Sequence, residues 1–144
     1  MDKRVLSCKF RDSGLAIQFK IMCMSYKTLD IYKESFDLFV EVHPFTLKLP
    51  KYELYEMGRQ LRRSSNSVVS NIVEGYGRRI YKAEYIRFLI FSHASNDETI
   101  NHLMLLQKIY PSMSDECECL IAKYNNLGGK INNFIKYVNQ NWKV

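Results

Sequence analysis

Apolar residues recur at three-four spacing over four long stretches of the chain, the mark of amphipathic helices. The first runs from about Lys27 to His43, with Leu29, Tyr32, Phe36, Phe39, Val40 and His43 on one face and Ser25 as N-cap. Pro44 and Pro50 bracket the connection that follows, because a proline disfavours helix in the residue before it. The second runs from about Glu53 to Glu74 on a stripe of Leu54, Met57, Leu61, Ser65, Val68 and Ile72, with Gly75 and Gly77 as its stop. The third, about Lys82 to Ile109, carries Tyr85, Phe88, Leu89, Ser92, Thr99, Leu103 and Leu106 and ends at Pro111. The fourth, about Asp115 to Asn139 with Ser114 as N-cap, has the most regular stripe: Leu120, Tyr124, Leu127, Ile131, Phe134, Val138 and Trp142. Gly128-Gly129 predicts a local irregularity in it, since each glycine costs a helix about 1 kcal/mol.

Four amphipathic helices with short connections predict an all-α, up-down-up-down four-helix bundle over residues 25–144. Two helices are apolar on more than one side. Ile31, Leu38 and Val42 form a second stripe on the first helix. The third begins Tyr85-Ile86-Arg87-Phe88-Leu89-Ile90-Phe91, which places Ile86 and Ile90 off the main stripe. A surface helix needs one buried stripe, so a second predicts a second partner, most simply another copy of the chain. Ile31, Leu38, Val42, Ile86 and Ile90 are therefore expected at a homo-oligomer interface.

Composition narrows the class. A length of 144 residues suits one domain. With 47% hydrophobic residues and only 6 glycines and 3 prolines, disordered and collagen-like chains are excluded, and an all-β fold with many tight turns is disfavoured. Cys8, Cys23, Cys117 and Cys119 are too few for a secreted disulfide scaffold. No signal-peptide core and no membrane-length apolar run is present, which predicts a cytoplasmic protein with free thiols and no membrane contact. Residues 1–24 stand apart as an N-terminal extension without a sustained period. They read as disordered, or as lying upstream of a true start at Met22 or Met24; a basic tail touching a polyanion is the alternative.

Candidate chemistry is sparse. There is no Glu-x-x-His pair for a di-metal bundle, and His93 and His102 point to opposite sides of one helix. Cys117 and Cys119 lack paired ligands, so no metal is expected. No Gly-x-Ser-x-Gly and no phosphate-cradling loop occurs, so neither a catalytic set nor a cofactor is expected. Charge is the remaining signal. The formal net charge is +6. Residues 51–80 carry six Lys and Arg against three Glu, while residues 25–50 are net −1. Arg59, Arg62 and Arg63, with Asn66 and Ser70, are read as one face of the second helix, and Arg78, Arg79 and Lys82 add charge at the following turn. Arg suits phosphate because its planar fork donates two parallel hydrogen bonds. A solvated face, or pairing such as Glu74 with Arg78, is the alternative.

The block Gln60-Leu61-Arg62-Arg63-Ser64-Ser65-Asn66-Ser67-Val68-Val69-Ser70-Asn71-Ile72-Val73-Glu74-Gly75-Tyr76-Gly77-Arg78-Arg79 is specific. With Leu29-x-x-Tyr32, Leu49-Pro50 and Ser95-x-x-Glu98, it resembles the four-helix bundle proteins named after the intervening sequences of 23S ribosomal RNA, over about residues 26–140. The resemblance implies a homopentamer without established enzymatic activity. A related group, the accessory variability proteins of diversity-generating retroelements, forms basic pentameric barrels that bind nucleic acid and a reverse transcriptase. Asn71, Glu74 and Gly75 match the family's Asn-Ile-x-Glu-Gly motif and Glu98 its third-helix Glu, all read as structural. Glu74 opposes its own helix dipole and is expected to pair, with Arg78 or with an Arg of a neighbouring subunit. Asn96 departs from the usual leucine and predicts looser packing there.

The expected function is a non-enzymatic homo-oligomer that binds RNA or DNA, with little sequence specificity, through Arg59, Arg62, Arg63, Arg78, Arg79 and Lys82. The alternative is an interaction scaffold for a protein, for example a reverse transcriptase or a ribosome-associated partner.

Overall fold

A computed structural model describes residues 25–142. The expectations for residues 1–24, with Cys8, Cys23, Met22 and Met24, lie outside the described residues. The Ser25 hydroxyl accepts from the Lys27 N–H and caps a 3-10 turn over Tyr26–Thr28, not the first helix itself. Helix α1 spans Asp30–Leu47, the stub α2 Lys51–Tyr55, α3 Met57–Gly77, α4 Lys82–Ile109 and α5 Ser114–Asn141, with a second 3-10 turn at Pro111–Met113. α2 and α3 are separated by a kink at Glu56, whose backbone leaves the helical conformation. The described residues contain no strand. The long helices alternate up and down: α3 packs on α1 and α4, α5 packs on α4 and α1, and α1 and α4 lie on opposite corners.

Each helix buries one stripe in a common core. Leu61, Val68 and Ile72 of α3, Tyr85, Leu89, Leu103 and Leu106 of α4, and Leu127, Ile131 and Val138 of α5 are fully enclosed. Between α3 and α4 the contact is made of small polar residues. Ser92 Oγ donates to the Val68 carbonyl at 2.8 Å, and Thr99 Oγ1 to Ser64 Oγ at 3.0 Å. Short side chains let the two backbones approach, and their hydroxyls are satisfied across the seam.

Helix α1 corrects the expectation. It does not stop before Pro44 but runs on to Leu47. Pro44 is exposed, and the carbonyl it frees, that of Val40 one turn back, lies on the same exposed side where water can serve it. Extending the helix decides which stripe is buried. Ile31, Ser35, Leu38, Val42, Phe45 and Leu49 continue in alternating four-three spacing, and all are buried. Ile31, Leu38 and Val42, expected between subunits, thus belong to the chain's own core. Phe36, Val40 and His43, expected in the core, are exposed. Both stripes have helical period, and ending α1 at His43 hid the residues that break the tie. On α4, Ile86 is half-buried against the core and Ile90 is exposed.

Two glycine expectations also change. Gly75 does not stop α3 but is a buried contact within it. α5 passes through Gly128 and Gly129 without interruption.

Candidate nucleic-acid interface

The outer face of α3 is set by its buried one. Gly58, Leu61, Ser65, Val68, Ile72 and Gly75 face inward, so Arg59, Arg63, Asn66 and Ser70 face solvent at helical spacing. Arg59 and Arg63 are one turn apart and exposed, and neither makes a hydrogen bond or ion pair among the described residues.

The other four basic candidates are engaged. Arg62 turns inward, donating from Nη1 to Thr46 Oγ1 at 2.8 Å and from Nη2 to the Leu54 carbonyl at 3.2 Å. It ties α1, the α2 stub and α3 together, which corrects its placement on the solvent face. A position next to two outward arginines on a helix is one-third of a turn away, enough to reach the α1 side. Arg78 pairs with Glu74 at 3.0 Å, lies 4.0 Å from Glu84, and covers the Phe88 ring at 4.8 Å. Arg79 donates to the Tyr76 carbonyl at 3.0 Å and stacks over the Tyr76 ring at 4.2 Å, while its own carbonyl accepts from Trp142 Nε1. Lys82 Nζ donates to the Asn139 carbonyl, fastening α4 to the end of α5. Arg62→Ala is therefore expected to lower stability by about 1–3 kcal/mol, read as a drop in melting temperature, because a charged clamp between three elements is lost.

The remaining motif positions are placed as follows. Asn71 donates to the Ser67 carbonyl and hydroxyl at 2.8 and 3.1 Å. A Cβ on Gly75 would lie 2.9 Å from Phe88 Cβ. Glu98 is exposed, 3.5 Å from His102 Nε2. Asn96 is fully buried and donates to the Tyr124 carbonyl at 3.1 Å.

Two features were missed or only partly read in the sequence, where Ile90 alone of the residues below was expected at an interface. On α1, Phe36, Val40 and Leu47 form an exposed apolar face, and on α4, Ile90 with Phe91 and Leu105 with Ile109 form two exposed apolar patches separated by Asp97, Glu98 and Asn101. Since α1 and α4 occupy opposite corners, these faces point away from each other. The second feature is the α2 stub, whose Tyr52 and Tyr55 are exposed. Their signal was the Tyr-x-x-Tyr that begins two residues after Pro50, two aromatics on one turn that no core stripe claims.

Among the described residues, no group of three or more His, Cys, Asp and Glu is placed to hold a metal ion. Burial, and secondarily the charge of Glu116, pushes the Cys117 thiol up to about 11. At neutral pH it is an uncharged core side chain, not a nucleophile. Among the described residues, no helix is long and apolar enough to cross a membrane.

These features define a small all-α bundle with polar helix seams, a short basic strip on α3 and two outward apolar faces. A family model described as 23S rRNA-intervening sequence protein matches residues 27–133, most of the chain, and the protein belongs to that family. Comparison with curated proteins finds no match.

Proposed function

We propose that the protein is a cytoplasmic, non-enzymatic homo-oligomer that binds RNA or DNA through phosphate contacts. The observation that carries the binding is the strip Arg59–Arg63: two exposed guanidinium groups one turn apart, unengaged among the described residues, on a chain of net charge +6. The apolar faces support the assembly. One self-complementary patch makes a two-fold dimer; two different patches make a head-to-tail contact, which gives a ring when the rotation between neighbours closes and a filament when it does not. A pentamer is the ring that the family resemblance implies. With α1 and α4 taken up between subunits, the outer face of α3 stays open and its arginines repeat around the axis. Repetition turns weak phosphate contacts into useful avidity.

The test is electrophoretic mobility with single-stranded RNA, duplex RNA and duplex DNA at about 50 and 200 mM salt, with light scattering on the same sample. Binding at low salt that falls away at high salt is expected. Arg59→Ala with Arg63→Ala should weaken all three about equally and lower the slope of log affinity against log salt by about one per lost contact. Unchanged affinity in that pair removes the strip as the binding surface, and a scattering mass of one 17.0 kDa chain removes the ring. The second reading, a scaffold for a reverse transcriptase or a ribosome-associated protein, is favoured by the same apolar faces. It gains if they remain uncovered in solution.

A further inference from the structure

We propose that the α2 stub is a stacking ledge for unpaired nucleobases, with Tyr52 and Tyr55 meeting base faces while Arg59 and Arg63 hold the phosphates. This rests on the nucleic-acid reading above and narrows it to single strands.

The two rings are the most exposed large apolar side chains on this part of the chain, at 68% and 62%. They stand three residues apart, hence on one side of α2. Neither belongs to the core or packs against it. Five residues cannot hold a helix in water by themselves, so the stub must be kept in place by other bonds. Glu53, buried beneath it, accepts from Tyr110 Oη at 2.8 Å and from the Met57 N–H at 3.3 Å. Arg62 grips the Leu54 carbonyl from the other side. The Tyr52 hydroxyl sits 3.2 Å from that of Tyr110, which fixes the ring by its edge and leaves its faces free. Four polar contacts thus rigidify a segment whose aromatic side chains contribute nothing to the core. A ring already immobilised loses less freedom when something stacks on it.

Charge selects the occupant. Residues 51–63 are net +2, and the Glu53 carboxylate is spent on internal donors, leaving Glu56 as the exposed acid at the kink. Arg59 follows Tyr55 by four residues and Arg63 by eight, across the break at Glu56, so exposed cations come directly after the exposed phenols along the chain. Two π-faces followed by two cations match a single strand, whose bases are free to splay and whose phosphates lie within reach of the same surface. A duplex offers phosphates but keeps its base faces in its own stack.

The test uses the full chain and a labelled oligouridylate of about 12 nucleotides, within the usual span of a single-strand site, with an RNA duplex of equal length as control. Fluorescence anisotropy is read for the native protein, for Tyr52→Ala with Tyr55→Ala, and for Tyr52→Phe with Tyr55→Phe. The alanine pair is expected to weaken oligouridylate binding about tenfold or more, with duplex binding within about twofold of native. The phenylalanine pair keeps both rings while losing the Tyr52 hydroxyl contact, and should retain single-strand affinity; this separates stacking from any loosening of the stub. Equal effects on strand and duplex, or none on either, overturn the ledge while the phosphate reading stands. Native protein that binds neither at about 50 mM salt overturns both.

Discussion

Alanine at Gly75 is expected to destabilise the bundle by about 2–3 kcal/mol, whereas alanine at Gly77 should leave it unchanged or about 0.5–1 kcal/mol firmer. Both residues lie in α3, and neither has a positive φ, so alanine strains the backbone at neither. Helix propensity alone would favour alanine at both by up to about 1 kcal/mol. Space separates them. A Cβ on Gly77 meets nothing within 4 Å, whereas one on Gly75 would lie 2.9 Å from Phe88 Cβ and 3.3 Å from the Tyr85 ring. Neither Cβ can rotate away, so α3 and α4 must part where the Tyr76, Tyr85 and Trp142 rings pack edge to face. At about 2–4 °C per kcal/mol for a chain of this size, Gly75→Ala should lower the melting temperature by about 5–10 °C. Equal melting temperatures for the two variants would show that the α3–α4 seam has room for a methyl group.

That seam shows where sequence reading succeeds and where it stops. The bounds of α4 follow from its stripe and from Pro111, and the stripes of α3, α4 and α5 are the buried ones; on α4 the core stripe runs from Tyr85 to Leu106, while the second apolar side read from Ile86 and Ile90 is confined to its first turns. α1 is different. Its two faces are equally apolar, and period alone does not say which faces inward; the answer lay in Phe45 and Leu49, beyond a proline that reads as a stop. Gly75 looked like a stop for a related reason. A glycine that ends a helix and one that admits a neighbouring helix are the same letter, and only the Phe88 contact tells them apart.

The basic strip was half legible. Composition located it in residues 51–80, and helical spacing brought Arg59 and Arg63 together. Spacing cannot show that Arg62 reaches Thr46 and Leu54, because both acceptors come from other turns of the fold. Arg78 pairs with Glu74, as the alternative reading of its spacing had it, while Arg79 and Lys82 are held by the Tyr76 carbonyl and by the end of α5, which spacing does not show. Net charge is a property of the list of residues; available charge is a property of the fold.

Asn96 and Gly128, read separately as a departure from leucine and a weak point in a helix, are expected to behave as one unit. Asn96 is fully buried in α4, and its Nδ2 donates to the Tyr124 carbonyl of α5 at 3.1 Å. That carbonyl also serves the N–H of Gly128 in the helix ladder, so the amide lies directly over the glycine. A Cβ on Gly128 would be 2.8 Å from Asn96 Nδ2. The glycine is the slot that lets the amide reach α5. Gly128→Ala should push it out, leaving a buried amide without its bond and costing about 2–3 kcal/mol after the gain in helix propensity. Gly129→Ala, with nothing within 4 Å of the new Cβ, should gain up to about 1 kcal/mol. Asn96→Ala removes the amide and should cost about 1–2 kcal/mol for the lost bond and the space left behind. In the double variant the Gly128→Ala methyl enters that space, and there is no amide to displace. Denaturant melts of the four proteins should therefore show the double variant about 1–2 kcal/mol more stable than the two single losses added together. Additivity within about 0.5 kcal/mol would mean that the amide can leave its slot freely, and that the glycine is tolerated in α5 rather than required there.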